Sequence, residues 1–175
     1  SINNISSWNV NEVTDFNRVF YGTSVLDNLN IQNWDVSNAI YMINMFCTSK
    51  KFNTDISNWN VSNVKDMSGM FFGANMFNQD LTKWNISNVG KMDEMFTLSA
   101  ISQNNYNKFL IHCSKITQQY NVPFTYNPHL PTSDAIIAYD NLTDNMYWNI
   151  TPKLVQPPTT TPTVVNWKID TYGNI

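Results

Sequence analysis

One phrase recurs four times along this chain with a period that barely varies. Trp8, Trp34, Trp59 and Trp84 are separated by 26, 25 and 25 residues. Each tryptophan opens a segment close to the consensus W-N-V-S-N-V-x-x-M-x-x-M-F. A fixed period of about 20 to 30 residues is typical of proteins in which each repeat buries its apolar side against the neighbouring repeats.

The apolar spacing changes within each repeat. Residues 56 to 61 suit an extended segment, whereas the apolar residues between Val64 and Phe71 have the spacing of one face of a short helix. The sequence therefore predicts an α/β solenoid, a leucine-rich-repeat-like stack of about four coils, each a short strand plus a helical turn. We assign its buried core to these residues: Trp8, Trp34, Trp59, Trp84, Phe20, Phe46, Phe71, Phe96, Met42, Met45, Met67, Met70, Met92 and Met95.

Asparagine is the commonest residue, and three asparagines share one repeat position, Asn38, Asn63 and Asn88. A short amide at a corner can bond the backbone of its own turn and that of the adjacent repeat. We therefore expect these asparagines to hold the corners of the stack.

The tryptophans and methionines assigned to the core could also be explained by binding functions. Aromatic faces suit sugars, so the tryptophans also fit a platform for glycans. Methionines also form adaptable protein-binding surfaces. Regular positions beside phenylalanine favour burial for both sets.

The repeat resembles a known family. The phrase "WNVSNVKDMSGMFFGANMFNQDL" and its copies, over roughly residues 5 to 110, are similar to the BspA-like surface-protein repeats, relatives of leucine-rich repeats found in bacterial surface lipoproteins and large DNA viruses. The resemblance implies surface display, adhesion and protein contact. The first copy departs from the pattern because it lacks methionine, and the F-N-x-D portion is replaced after Phe96.

The repeats are followed by a segment with helical spacing and then by a change of composition. We expect residues 1–120 to form the repeat domain, with a capping helix over about 102–120 that starts at Ser102 or Asn104. All seven prolines follow residue 121, so residues 121–175 are predicted to be a proline-rich extended or β tail. Its strand candidates are residues 135–139, 146–150 and 163–175. The tail is expected to become ordered by packing on the repeats or, preferentially, on a partner chain.

The charge and the motifs of the sequence argue against several classes of function. The net charge of −3 argues against nucleic-acid binding, and no apolar run is long enough to span a membrane. Neither His112 nor His129 has a metal-ligand spacing, and no cofactor or catalytic motif is present, so an enzyme is not expected. Asp55 and Asp80 fit turn bonding better than calcium binding.

Five Asn-x-Ser/Thr sequons occur, at Asn4, Asn60, Asn85, Asn141 and Asn149. The two in the tail, Asn141 and Asn149, are the better candidates for glycosylation because the repeat positions follow the core tryptophans. These modifications depend on exposure to a glycosylation system.

Two functional hypotheses remain. The first is a non-enzymatic repeat protein, displayed on a cell or virion surface, that contacts a protein partner or a surface glycan. The second is a structural component of a large assembly, such as a giant-virus capsid or fibre, whose tail laces onto neighbouring subunits.

Overall fold

The computed structural model describes residues 5–24, 30–125 and 128–151 of the 175-residue chain. Its regular elements are few and short. They are a 3-10 helix Ile5–Ser7, α1 Gln103–Ile116, β1 Pro123–Phe124, α2 Ile136–Asp140, a π-helix Asn141–Asn145 and β2 Asn149–Ile150. The two strands form a parallel sheet in which Pro123 pairs with Asn149 and Phe124 with Ile150.

The predicted α/β solenoid of about four coils is wrong. The structure has two α-helices and one two-stranded parallel sheet, all beyond residue 102, and the described part of the repeats contains tight turns and isolated bridges instead of strands and helical turns. The backbone explains why. Two positions in each repeat have φ between 54° and 69°, in the left-handed region, which a right-handed helical turn cannot accommodate. These residues are Arg18, Asn44, Gly69 and Glu94 at the first position, and Gly22, Thr48, Gly73 and Leu98 at the second.

Neighbouring repeats pair through the segment that was predicted to be helical. Isolated parallel bridges join Asp15 to Tyr41, Tyr41 to Asp66, and Asp66 to Lys91. Alternate N–H groups then donate to carbonyls of the next repeat, as from Asn44 to Ser68 at 2.9 Å. The prediction had placed this pairing in the tryptophan-containing segments, so the position was wrong although the spacing of 25 or 26 residues is observed.

Aromatic rings form a continuous stack inside the repeats. Phe71 lies parallel to Phe46 at 5.8 Å between ring centroids and to Phe96 at 6.0 Å. Phe109 of α1 then meets Phe96 edge-on, at 5.4 Å and 88°. An edge-to-face contact is favourable for aromatic pairs, so α1 closes the stack at this end.

The helix α1 begins directly after Ser102, one of the two residues predicted to cap it. Ser102 accepts a hydrogen bond from the Asn105 N–H at 3.3 Å, which confirms the start at Ser102. The helix ends at Ile116, four residues before the predicted end. His112 donates from Nε2 to the Trp84 carbonyl at 2.7 Å and thereby ties α1 to the last repeat.

The tail differs from its prediction. Residues 135–139, predicted as a strand, belong mainly to α2, because Ala135, Ala138, Tyr139 and Leu142 are buried at helical spacing. The predicted strand 146–150 is reduced to β2, and the candidate at 163–175 lies outside the described residues.

The described part of the tail packs on its own chain. Pro123 accepts a hydrogen bond from the Met92 N–H at 2.9 Å, so β1 lies beside the fourth repeat. Phe124 contacts Phe109 and Trp148 edge-on, and the Trp148 indole donates to the Gln119 carbonyl at 2.9 Å. The division of the chain at residue 120 stays a prediction.

Candidate functional site

The tryptophans are structural in three of the four repeats. Trp34, Trp59 and Trp84 are at most 5% exposed, and each indole N–H donates to a backbone carbonyl in the preceding repeat at 3.0 Å. Their burial leaves no ring face for a sugar. Trp8 differs, because it is 55% exposed while its ring stacks on Trp34 at 6.3 Å.

The phenylalanines and methionines assigned to the core lie inside the protein. All ten are at most 4% exposed, so they offer no adaptable binding surface. They are Phe20, Phe46, Phe71, Phe96, Met42, Met45, Met67, Met70, Met92 and Met95.

The corner asparagines are exposed, and their amides are engaged. Asn38, Asn63 and Asn88 each donate from Nδ2 to a carbonyl of the preceding repeat, at 2.7, 2.8 and 2.8 Å. Each amide therefore bridges two repeats at the corner.

A second polar position, directly after each tryptophan, was not predicted from the sequence. The side-chain oxygens of Asn9, Asp35, Asn60 and Asn85 accept the N–H two residues further on, an arrangement known as an Asx-turn. The signal was the recurrent Asn or Asp at this position, which was attributed only to the consensus.

Asp55 and Asp80 confirm the turn-bonding interpretation. Asp55 accepts the Ser57 N–H at 2.9 Å, and this bond lowers its carboxyl pKa. The hydroxyl of Thr82 and, more weakly, Lys108 at 2.9 Å lower the pKa of Asp80 to about 2. Within residues 5–24, 30–125 and 128–151, no three His, Cys, Asp or Glu side chains are grouped for metal binding.

The candidate glycosylation sites lie in different surroundings. Asn141 is half-buried in the π-helix, where its Nδ2 donates to the Ser114 carbonyl at 3.4 Å. Asn149 lies exposed in β2, and Asn60 and Asn85 are exposed in the repeats. Asn4 falls outside the described residues. Glycosylation itself stays a prediction.

The repeats present one exposed patch with an apolar centre. We call it the Tyr41 surface and define it by Thr14, Asp15, Ile40, Tyr41, Ile43, Lys65 and Asp66, which occupy adjacent positions in three consecutive repeats. Tyr41 is 43% exposed, and Ile40 and Ile43 are half-buried beside it in the sequence. The first and third repeats supply the polar residues on either side.

A groove of about 440 Å³ adjoins this centre and crosses the same three repeats. Its lining includes Ile40 from the second repeat, Glu12 from the first and Lys65 from the third. The groove therefore combines an apolar side chain with opposite charges from the repeats on either side. Such a combination suits a polypeptide segment that carries both apolar and charged groups.

No helix in the described parts of the chain combines the length and the apolar character needed to cross a bilayer.

Comparison with known proteins identifies the repeat region. No curated protein and no solved structure matches the chain. A family model described as "Mycoplasma protein of unknown function, DUF285" matches residues 1–109, which is more than half of the chain and includes every copy of the repeat. The chain therefore belongs to the DUF285 family.

Proposed function

We propose that this protein is a non-enzymatic interaction module, displayed on a cell or virion surface, that contacts a protein partner through the Tyr41 surface. The observation that carries this proposal is the apolar centre of Ile40, Tyr41 and Ile43 within a polar rim. Protein interfaces concentrate binding energy in central aromatic and apolar residues, and their rims are polar.

The backbone beneath the centre is held in place. The Tyr41 N–H donates to the Thr14 carbonyl at 3.2 Å, and the Tyr41 carbonyl accepts from Phe16 at 2.8 Å. The Ile43 N–H donates to Asn17 Oδ1 at 2.7 Å. A preorganised surface loses little conformational entropy on binding, which favours affinity.

A protein partner is better supported than a glycan. Sugar-binding surfaces use exposed aromatic faces, but the repeated tryptophans from Trp34 onward are buried. Tyr41 instead lies between charged residues, with Asp15 on one side and Asp66 on the other. The similarity of the repeats to BspA-like surface proteins supports display at a surface.

A catalytic function has less support than contact with a protein partner. His112 bonds the Trp84 carbonyl, and His129 bonds the Ile101 carbonyl at 2.6 Å, so both imidazoles serve structural contacts. The alternative role, a component of a large assembly whose tail binds neighbouring subunits, is also less supported, because the described part of the tail packs on its own chain.

The test exposes the immobilised chain to a phage-displayed peptide library and to a glycan array, which represent the two partner classes. Selected ligands are measured again with Tyr41→Ala, and with Tyr147→Ala as a control, because Tyr147 is 65% exposed and far from the repeats in sequence. We expect peptide ligands whose affinity falls at least about tenfold, or about 1.4 kcal/mol, with Tyr41→Ala only. Ligands that are exclusively glycans, or peptides insensitive to Tyr41→Ala, would contradict the proposal.

A further inference from the structure

The groove beside Tyr41 holds two charged side chains that are not engaged within the described part of the chain. Glu12 and Lys65 both line the groove and are exposed. Neither side chain makes a hydrogen bond or an ion pair with a described residue. The nearby carboxylates of Asp15 and Asp66 differ, because each accepts the N–H two residues further on, at 2.8 and 2.9 Å. Glu12 and Lys65 are therefore the charges of this surface that have no partner among the described residues.

These two charges belong to the repeats on either side of Ile40. Glu12 is in the first repeat, Ile40 in the second and Lys65 in the third. Paired backbone segments lie about 4.8 Å apart, so the backbones of the first and third repeats are separated by about 10 Å. A ligand that contacts both charged groups must therefore also cover Ile40.

The backbone along the groove is already hydrogen-bonded between repeats. The Ile40 N–H donates to the Thr14 carbonyl at 2.8 Å, and the Ile40 carbonyl accepts from the Lys65 N–H at 2.9 Å. The amides of Asn38 and Asn63, which also line the groove, donate to carbonyls of the preceding repeat at 2.7 and 2.8 Å. Recognition in this groove therefore depends on side chains and not on the addition of a strand.

We propose that the partner of the Tyr41 surface is a polypeptide segment that presents three side chains in order: a cationic one to Glu12, an apolar one to Ile40 and an anionic one to Lys65. The proposal rests on the proposed function, since it specifies the partner of the same surface. Opposite charges across an interface fix the orientation of the partner and disfavour competitors of the wrong charge. The apolar contact is favourable because it removes apolar surface from water.

A polypeptide fits this pattern better than a polyanion does. A polypeptide can carry a basic residue and an acidic residue on either side of an apolar one, whereas a nucleic acid repeats a negative charge. A polyanion would place like charge against Glu12 and against the carboxylates of Asp15 and Asp66. The net charge of −3 adds to this repulsion.

The test compares peptides selected on the whole chain with those selected on two charge-reversed variants. A phage-displayed library of random peptides is selected on the immobilised original chain, on Glu12→Lys and on Lys65→Glu, and the retained peptides are sequenced. We expect the original chain to enrich peptides in which a basic and an acidic residue flank an apolar one. Glu12→Lys should reduce the enrichment of basic residues about two- to fivefold, the range for one exposed ion pair, without reducing that of acidic residues. Lys65→Glu should have the reverse effect.

Charge reversal outside the groove supplies the matched controls. Asp144→Lys and Lys115→Glu change the net charge by the same amounts at exposed positions of the π-helix and of α1. They should leave the charge pattern of the selected peptides as it is on the original chain. Circular dichroism checks that all four variants are folded.

Dependence of the selected peptides on Tyr41 separates this proposal from the function on which it rests. Peptides that need Tyr41 but keep their charge pattern on Glu12→Lys and Lys65→Glu would overturn the proposal and leave the proposed function standing. An equal change of pattern on the two control variants would also overturn it, because the pattern would then follow the net charge. Retention of no peptide by the original chain would contradict both.

Discussion

Trp59 donates its indole N–H to the backbone carbonyl of Ile31, 28 residues earlier in the chain, at 3.0 Å. Both groups are buried, and the equivalent bonds of Trp34 and Trp84 have the same length. The indole therefore fills the core of one repeat and also satisfies a carbonyl of the repeat before it. A buried carbonyl that loses its partner costs about 1–3 kcal/mol.

Replacing this tryptophan should be far more costly than replacing the exposed one. Trp59→Phe removes the bond to Ile31 and leaves a small cavity, so the free energy of unfolding should fall by about 2–4 kcal/mol. Trp8→Phe removes an indole with no described partner and should cost less than about 0.5 kcal/mol. Urea denaturation of both variants measures the difference. Equal losses would mean that the indole bonds do not stabilise the repeats.

The left-handed position in the third repeat favours glycine because the Asn44 side chain lies against it. Gly69 has φ +62°, and a Cβ there would lie 2.1 Å from Asn44 Oδ1. Gly69→Ala should therefore lower the free energy of unfolding by about 1–3 kcal/mol. The matched control is Gly90→Ala, where the nearest atom to the added Cβ is the Lys65 carbonyl at 3.8 Å. Thermal melts of the two variants that coincide would argue against the backbone conformation described for Gly69.

The amides at the corners should contribute measurably although they are exposed. Asn63 donates to the Ser37 carbonyl at 2.8 Å, so Asn63→Ala should reduce the free energy of unfolding by about 1 kcal/mol. Asn75, also exposed, makes no side-chain hydrogen bond to a described residue, and Asn75→Ala serves as the control. A loss confined to Asn63→Ala in denaturant melts is the expected result. Similar behaviour of the two variants would remove the structural role of the corner amide.

The period of the sequence predicted the burial of the core side chains except that of Trp8, which is exposed, and the local conformation did not follow from it. Val64, Met67, Met70 and Phe71 have helical spacing and are buried. The same spacing arises from consecutive tight turns, and it does not report the sign of φ. Gly69 and Gly73 gave a signal for left-handed turns, whereas Arg18 and Glu94 occupy the same conformation without any compositional signal.

The Tyr41 surface was not predicted for a related reason. Ile40 and Tyr41 occupy the two variable positions of the repeat consensus, so the residues that the repeats share gave no indication of them. The pairing of Tyr41 with Asp66 lies in a segment where the sequence had not predicted pairing. The available signal was the presence of apolar residues at variable positions that are polar or charged in most other repeats.

The hydrogen bond that Asp80 accepts from the Thr82 hydroxyl and, more weakly, its contact with Lys108 make the stability of the protein depend on pH under acidic conditions. The folded pKa of Asp80, about 2, lies below the reference value of 3.8, so its contribution is present above pH 4 and is lost as pH falls toward 2. Because the Asp80 side chain is 41% exposed, solvent screening limits this contribution to about 1 kcal/mol or less. In the Asp80→Asn variant, the melting temperature should therefore fall less between pH 5 and pH 2 than in the original chain. The difference should correspond to at most about 1 kcal/mol in the free energy of unfolding. An unchanged slope would contradict the assignment.

The central claim is that backbone hydrogen bonds between neighbouring repeats hold the surface that carries Tyr41, and amide hydrogen exchange followed by NMR tests it most directly. The N–H groups of Asn44 and Gly69 donate to carbonyls of the following repeat at 2.9 and 2.7 Å, and that of Glu94 donates to the Thr125 carbonyl at 3.1 Å. The Thr14 N–H, in contrast, has no described acceptor. We predict that the first three amides exchange at least about 1000-fold more slowly than in an unstructured peptide, and that Thr14 exchanges within about tenfold of it. If Asn44, Gly69 and Glu94 exchange as fast as Thr14, the repeats are not joined in this way and the account is wrong.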